Sequence, residues 1–400
     1  MALSRRKFIQ IGSLASASLM VPKFLKGFEF RAASPGQGKK ILVIVQLSGG
    51  NDGLNTVIPY RNDIYYKGRP QIGIKREDAL ALTDDVGLNP AMKGIKKLYD
   101  DGHVSIINGV GYPHPNRSHF RSMDIWQSGS TASELVTTGW IGRYLDNAPG
   151  TVNAHNSLAL EVDDTLSLAM KGEVQNAIAV RDINQFHSAA ANDYFKRLAS
   201  HEDEHNDHLA GYLYKTLRET TSAADYIYDQ SKIYVTSQTY PNTEIGKRMK
   251  TIGTLIVSGV ETQVYYVSHG SFDTHVNQKD RQDKLFGQLD DALTALTDDL
   301  KKNNRFDDVL IMTFSEFGRR VSQNASNGTD HGTASSMFMI GGGVKKAGLY
   351  NDIPSLEDLD EGDLKYAVDF KEVYATVLDK WLQTDPRGVL DKKYERLEFI

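Results

Sequence analysis

Five of the eleven histidines, His114, His119, His269, His275 and His331, fall in short segments that also carry carboxylates, arginines and a serine. The segments are Gln46-Leu-Ser-Gly-Gly-Asn51-Asp52-Gly53, His114-Pro-Asn116-Arg117-Ser118-His119-Phe-Arg121, His269-Gly-Ser-Phe-Asp273-Thr-His275, Ser315-Glu316-Phe-Gly-Arg319-Arg320 and Asp330-His331-Gly332. Carboxylates and neutral imidazoles without thiolate are the ligand set of zinc, manganese or iron. The chain has no cysteine, which excludes disulfides, thiolate metal sites and a cysteine nucleophile. Asp273 and His275 stand at i, i+2, so on an extended segment both reach the same side and one ion. His331 is a candidate third ligand, and Asp52 and Glu316 are candidates for a second ion or its bridging water. One or two divalent ions, zinc or manganese, are therefore expected. A pair of such ions polarises a phosphoryl or related ester and stabilises the attacking and leaving oxygens. Ser118 precedes a helix expected over His119 to Gln127. A hydroxyl at a helix N-terminus, close to cations, is suited to nucleophilic attack, and His119 and Arg121 complete the expected catalytic group. Asn51, Arg117 and Arg319 are the candidates for holding an anionic substrate, the arginines as bidentate clamps.

Each piece also has a plain structural reading. Ser118 and Asn116 are common N-cap residues, and Gly49 to Gly53 is a tight turn. Glu316 with Arg319 or Arg320 makes an ordinary ion pair, and Asp330-His331 caps a strand. The elements between these segments favour the joint reading as a cleft. Ile41 to Val45 is apolar without alternation, the pattern of a strand buried on both faces of a parallel sheet. Similar runs occur at Val104–Ile107, Ser157–Val162, Ala177–Val180, Gln263–Val267, Val309–Thr313 and Met337–Ile340. Leu285, Leu289, Leu293, Leu296 and Leu300 mark one helical face, and Ile245, Met249, Ile252 and Ile256 another. Strands alternating with helices predict an α/β fold, with a mainly parallel central sheet flanked by helices on both faces. In such sheets ligands sit outside the carboxyl ends of the strands. Most of the histidine-bearing segments follow a predicted strand.

The 400 residues are 40% hydrophobic and 24% charged, the balance of a globular chain. Charge is uneven: residues 1–33 hold six basic side chains against Glu29, and the remainder holds 40 basic and 50 acidic. An acidic body argues against a nucleic-acid binder. Arg5-Arg6 ahead of a modest apolar stretch reads as a twin-arginine export signal over 1–33, so the translocase is an expected partner and the mature protein is periplasmic or extracellular. The apolar stretch is too short and polar for a stable membrane span. Residues 34–40 read as a linker and 41–400 as one domain with a helical insertion at about 187–250. His201, His205 and His208 share one helical face in an acidic, solvated stretch and are left out of the site.

The segments QLSGGNDGLNTVIPY, HPNRSHFRSMDIWQSG, WIGRYLD, FDTHVNQ, FSEFGRR, DHGTASSMFMIGGGV and VYATVLDKWL, behind that signal, resemble one family over almost the whole mature chain. It is the family of exported bacterial proteins known as domain of unknown function 1501. The resemblance implies a distant relation to the alkaline phosphatase and sulfatase superfamily. That relation implies a first-strand aspartate, a nucleophile at a helix start, an Asp…His pair, an acidic pair and a late histidine. Asp52, Ser118, Asp273 with His275, Glu316 and His331 follow that order. The match has departures: Gln46 ends the first strand, one residue separates Asp273 from His275, and Ser315-Glu316 replaces Asp-His. The formylglycine signature of sulfatases is absent around Ser118. The expectation is a metal-dependent hydrolase or transferase for a phosphorylated or other anionic ester, small or glycan-linked. The competing expectation is a non-catalytic exported protein whose altered site binds a structural ion, a glycan or a partner.

Overall fold

The structure is a computed structural model that describes residues 39–148, 158–199 and 208–400. The expected export signal, most of the expected linker, and His201 and His205 lie outside the described residues. Among the described residues no helix is long and apolar enough to cross a membrane.

The seven apolar runs form the body of one nine-stranded sheet. We number its strands β1 (Ile41–Leu47), β2 (Val104–Gly111), β3 (Ala159–Glu161), β4 (Ile178–Ala179), β5 (Val264–His269), β6 (Val309–Phe314), β7 (Ser335–Ile340), β8 (Gly348–Leu349) and β9 (Val368–Asp369). Across the sheet the order is β8-β2-β7-β6-β1-β5-β3-β4, with β9 also paired to β2. The strand β1 lies between β5 and β6, parallel to both, and every residue of it is buried. That central position explains a run with no polar alternation. The pairs β3–β5, β3–β4, β2–β8 and β2–β9 are parallel as well. Only β7 runs the other way, antiparallel to β2 and to β6. The edge strands β8 and β9 have two residues each, too few to leave a pattern in the sequence.

Alternating residues of β1 face opposite layers. Gln46 reaches Met123 and Gln127 of α1 (His119–Ser128). His269, which pairs with the next residue, Leu47, points the other way and lies 3.1 Å from the Leu285 carbonyl. Leu285 belongs to α3 (Gln278–Lys302), which packs beside α2 (Glu244–Val257). Helices thus cover both faces. The predicted leucine stripe is the buried side of α3, with Leu289, Leu293, Leu296 and Leu300 enclosed. On the α1 face Trp126 stacks between Phe314 and Phe370, tying helix to sheet through aromatic contact. Helices also occupy Ile183–Ala190, Asp193–Ala199 and His208–Ser231, before the core helix α2 begins.

Candidate metal centre

The segments after β1, β2, β5 and β6 leave the sheet at its carboxyl edge. Asp330-His331 precedes its strand, which in a parallel strand would put it at the opposite edge. Because β7 runs antiparallel, its N-terminal end, Ser335, lies beside Val110 near the end of β2, and His331 arrives with the others. Two glycines make the close approach possible. Gly49 has φ +120°, and a Cβ there would sit 2.4 Å from the Asp273 nitrogen. Gly50 has φ +75°, and a Cβ would come within 2.2 Å of the Phe317 ring. L-residues are strained at such angles, so this turn requires glycine.

Three donor atoms meet there, one each from His119, Asp273 and His331, all within 4.8 Å of one another. Asp273 Oδ1 lies 3.6 Å from His119 Nε2 and 3.4 Å from His331 Nε2. Among the described residues this is the group of three or more carboxylates and imidazoles arranged to share an ion. The outer nitrogens of both imidazoles are anchored. His331 Nδ1 is 2.7 Å from the Arg117 carbonyl, which only accepts, so that nitrogen carries the proton. His119 Nδ1 is 2.9 Å from Glu316 Oε1, and the buried carboxylate also accepts from the Gly49 N–H. Both Nε2 atoms in the neutral rings therefore carry the lone pair and lie toward Asp273, and His331 Nε2 also stands 3.0 Å from His275 Nε2. His119 Nε2 is buried with no hydrogen-bond partner.

The charges of the three groups are set by their neighbours. Burial raises the Asp273 carboxyl, but the hydrogen bond and charge of Arg319, with His275 and His331, outweigh it and hold the group at about 2. The hydrogen bond to Glu316 raises His119 above the usual histidine value against the opposing effect of burial. Burial lowers His331, with the charges of Arg319 and His119 adding to it. These effects favour the neutral imidazole, the form that ligates metal.

A divalent ion fits this donor set. Tetrahedral ligands bound at about 2.0–2.1 Å stand roughly 3.3 Å from one another, close to the 3.4 and 3.6 Å found around Asp273 Oδ1. The unpartnered His119 nitrogen is the donor that an ion would satisfy. Carboxylate or carbonyl anchors behind each histidine are the usual outer support of metal-bound imidazole.

The remaining expected residues are placed differently, and several expectations are corrected. Asp52 lies buried in an ion pair with Arg69, whose Nη1 and Nη2 approach its oxygens at 2.5 and 2.9 Å. It also accepts from Gln278 and from the Leu54 N–H as a helix cap, so no acceptor remains for a second ion. Glu316 is buried outside the three-atom group, with Oε1 against His119 Nδ1 and the Gly49 N–H. His275 Nε2 bonds to Asp273 Oδ1 at 2.9 Å and contacts His331 Nε2 at 3.0 Å, and it stands beside the three-atom group. The chain around it is irregular, with Ser271 at φ +77°, so the i, i+2 geometry of a strand does not apply.

Arg319 is not a substrate clamp. It is buried and donates to the carbonyls of Gly49, Gly50, Phe272 and Thr329 and to Asp273, pinning three loops together. Arg121 turns away and donates to the carbonyls of Thr131, Ala132 and Glu134. Asn51 is buried, bonded to Ser315, Thr56 and Gln282. Arg117 pairs with buried Asp363 through its side chain while its carbonyl holds His331. Ser118 occupies the N-cap position of α1, is exposed, and its hydroxyl makes no capping bond. Its N–H bonds to Asn116 Oδ1 instead. Arg69, Phe317 and Asp363 were not anticipated, since nothing in local spacing links Arg69 to Asp52 or Asp363 to Arg117.

A mainly parallel α/β sheet with a His/Asp cluster at its carboxyl edge defines the general class of this chain. The chain belongs to the family described as Protein of unknown function (DUF1501), whose pattern matches residues 39–396. No curated protein matches it in sequence. Similar solved structures include the C-terminal periplasmic domain of EcEptC from Escherichia coli in complex with zinc, at 9% identity and TM-score 0.36, covering 79% of this chain and 76% of that one. PsFucS1 sulfatase from Pseudoalteromonas sp. is 11% identical at TM-score 0.37, covering 100% and 74%. An alkaline phosphatase superfamily protein from Vibrio parahaemolyticus is 11% identical at TM-score 0.36, covering 88% and 72%. At such distances these neighbours say nothing of this chain's chemistry, which rests on its own atoms.

Proposed function

We propose that this protein is an exported, metal-dependent hydrolase or transferase acting on a phosphorylated or other anionic ester. The observation that carries the reading is the pair of anchored imidazoles, His119 and His331, whose Nε2 atoms face the ionised Asp273. These three residues would hold one divalent ion, with zinc or manganese the match to two nitrogens and one oxygen. When bound, such an ion supplies Lewis-acid polarisation of the ester's anionic oxygen. Glu316 and the Arg117 carbonyl fix the two histidines as lone-pair donors. Arg319 keeps Asp273 ionised and in place. Ser118, exposed at the start of α1 beside His119, is assigned the nucleophile, or the group that orients the attacking water.

Saturation of Asp52 by Arg69, Gln278 and the Leu54 N–H supports one ion over two. A non-catalytic, ion-binding role remains the second reading, favoured by the loss of Arg121 and Arg319 to carbonyl contacts. Untagged protein prepared with zinc or manganese and assayed on a panel of chromogenic phosphate and sulfate esters separates the two. Turnover that a chelator abolishes and Ser118→Ala reduces supports the enzyme. Stoichiometric metal without turnover on any ester supports the second reading, and absence of bound metal overturns both. Export is tested by replacing Arg5 and Arg6 with lysine: the variant is expected to stay in the cytoplasm, and normal export would contradict the signal assignment.

A further inference from the structure

A cavity of about 370 Å³ opens behind Phe317, within the range of roughly 300–1,000 Å³ typical of small-molecule sites. Its walls are continuous with the segments that carry the metal-centre histidines. Tyr112 and Pro115 come from the segment leading into His119, and Ala334 lies three residues after His331. Phe317 belongs to both places: its ring stands 4.9 Å from the His119 ring and 4.6 Å from the His331 ring, and it lines the cavity. The lining is aromatic and apolar in its interior, where Tyr112, Phe317, Ala334 and Leu364 are buried. Tyr366 forms an outer wall and is 42% exposed. His114, Asp360 and Lys365 supply polar groups to the same lining. Apolar walls with a few polar groups describe a site for the organic part of a ligand, not for an inorganic ion.

We propose that this cavity is a subsite for a planar ring, the aryl portion of a ligand whose anionic group lies at the His119–Asp273–His331 cluster. The assignment of the anionic end rests on the function proposed above; the ring-binding cavity itself does not. The hydrophobic walls take the ring out of water, and Tyr366 offers a face or an edge for offset or T-shaped contact. The ring class follows from Tyr366, the aromatic wall open to a ligand, with Tyr112 and Phe317 buried in the apolar lining behind it.

The test uses phenol as a neutral ring, and phenylphosphonate and methylphosphonate as a pair sharing one anion. Saturable phenol binding, followed by ligand-observed NMR on the metal-free protein, is expected, and Tyr366→Ala should weaken it severalfold. Leu135→Ala, which alters an exposed side chain outside the cavity lining, should leave it unchanged. On metal-loaded protein, phenylphosphonate should bind about tenfold or more tighter than methylphosphonate, the gain expected from burying a ring. Tyr366→Ala should remove most of that preference. Absence of phenol binding, phenol binding indifferent to Tyr366→Ala, or equal affinities for two phosphonates that both bind would each overturn the subsite. If neither phosphonate binds while phenol still does, the anionic-ester function fails and the ring site stands on the phenol result.

Discussion

Asp52 and Asp273 both follow a parallel strand, β1 and β5, and both meet a buried arginine, yet they end in opposite states. Asp52 is enclosed, and Arg69, Gln278 and the Leu54 N–H take up both of its oxygens. Asp273 is half exposed; Arg319 meets it through Oδ1 at 2.7 Å, and the same oxygen faces three imidazoles. The difference lies in how each arginine meets its carboxylate, since both also donate to carbonyls. Arg69 presents both terminal nitrogens to Asp52. Arg319 gives most of its donors to four carbonyls and leaves Asp273 a single one. A carboxylate at a strand end becomes structure when its acceptors are saturated, and remains available to a ligand when they are not.

The largest effect that would sharpen this contrast is on stability. Asp52→Ala leaves Arg69 buried without its counter-charge and should cost about 3–5 kcal/mol, read as a fall in the denaturant midpoint. The folded fraction should still bind metal with wild-type affinity; a selective loss of metal affinity would return Asp52 to the site. His331→Ala should behave in reverse. Zinc affinity is expected to drop about tenfold or more, with thermal stability nearly unchanged, since the ring is not part of the apolar core. Glu316→Gln, which keeps the shape but weakens the anchor on His119 Nδ1, should lower zinc affinity by about tenfold or less. Unchanged affinity there would mean that the Glu316 charge does not support His119.

The smallest effect is a pH dependence with two signs. The raised pKa of His119 means that its contact with Glu316 stabilises the metal-free fold below the ordinary histidine value. That contribution is lost as pH rises through the raised value. Metal binding requires the Nε2 lone pair, so zinc affinity climbs over the same interval. Asp273, held at about 2, stays ionised throughout. Melting temperature and zinc affinity measured on one pH series should move in opposite directions there; parallel movement would break the assignment.

The strands, the helix stripe of α3 and the gathering of histidines at one sheet edge were legible in the sequence, because periodicity and strand ends depend on local composition. The direction of β7 was not. A short apolar run reads the same in either direction, and only pairing with β2 and β6 shows that His331 enters from the carboxyl edge. The fates of the charged residues were also hidden. Arg69 is seventeen positions from Asp52, and Asp363 lies far from Arg117 in the chain, so burial of these pairs is decided by tertiary packing. The sequence places His119 beside Ser118, while its carboxylate anchor, Glu316, comes from another strand end. Spacing identifies the kinds of groups that gather; which lone pairs remain unused depends on contacts across the fold.

The central claim is that His119, Asp273 and His331 hold one divalent ion. Titration of chelator-stripped, untagged protein with zinc against a chromogenic competitor chelator tests it most directly, run beside the variant that replaces all three residues with alanine. One tight zinc per chain in the wild-type protein, and none in the folded triple variant, is the predicted result. Tight zinc that persists at the same stoichiometry in the triple variant, or no tight zinc in the wild-type protein, would contradict it.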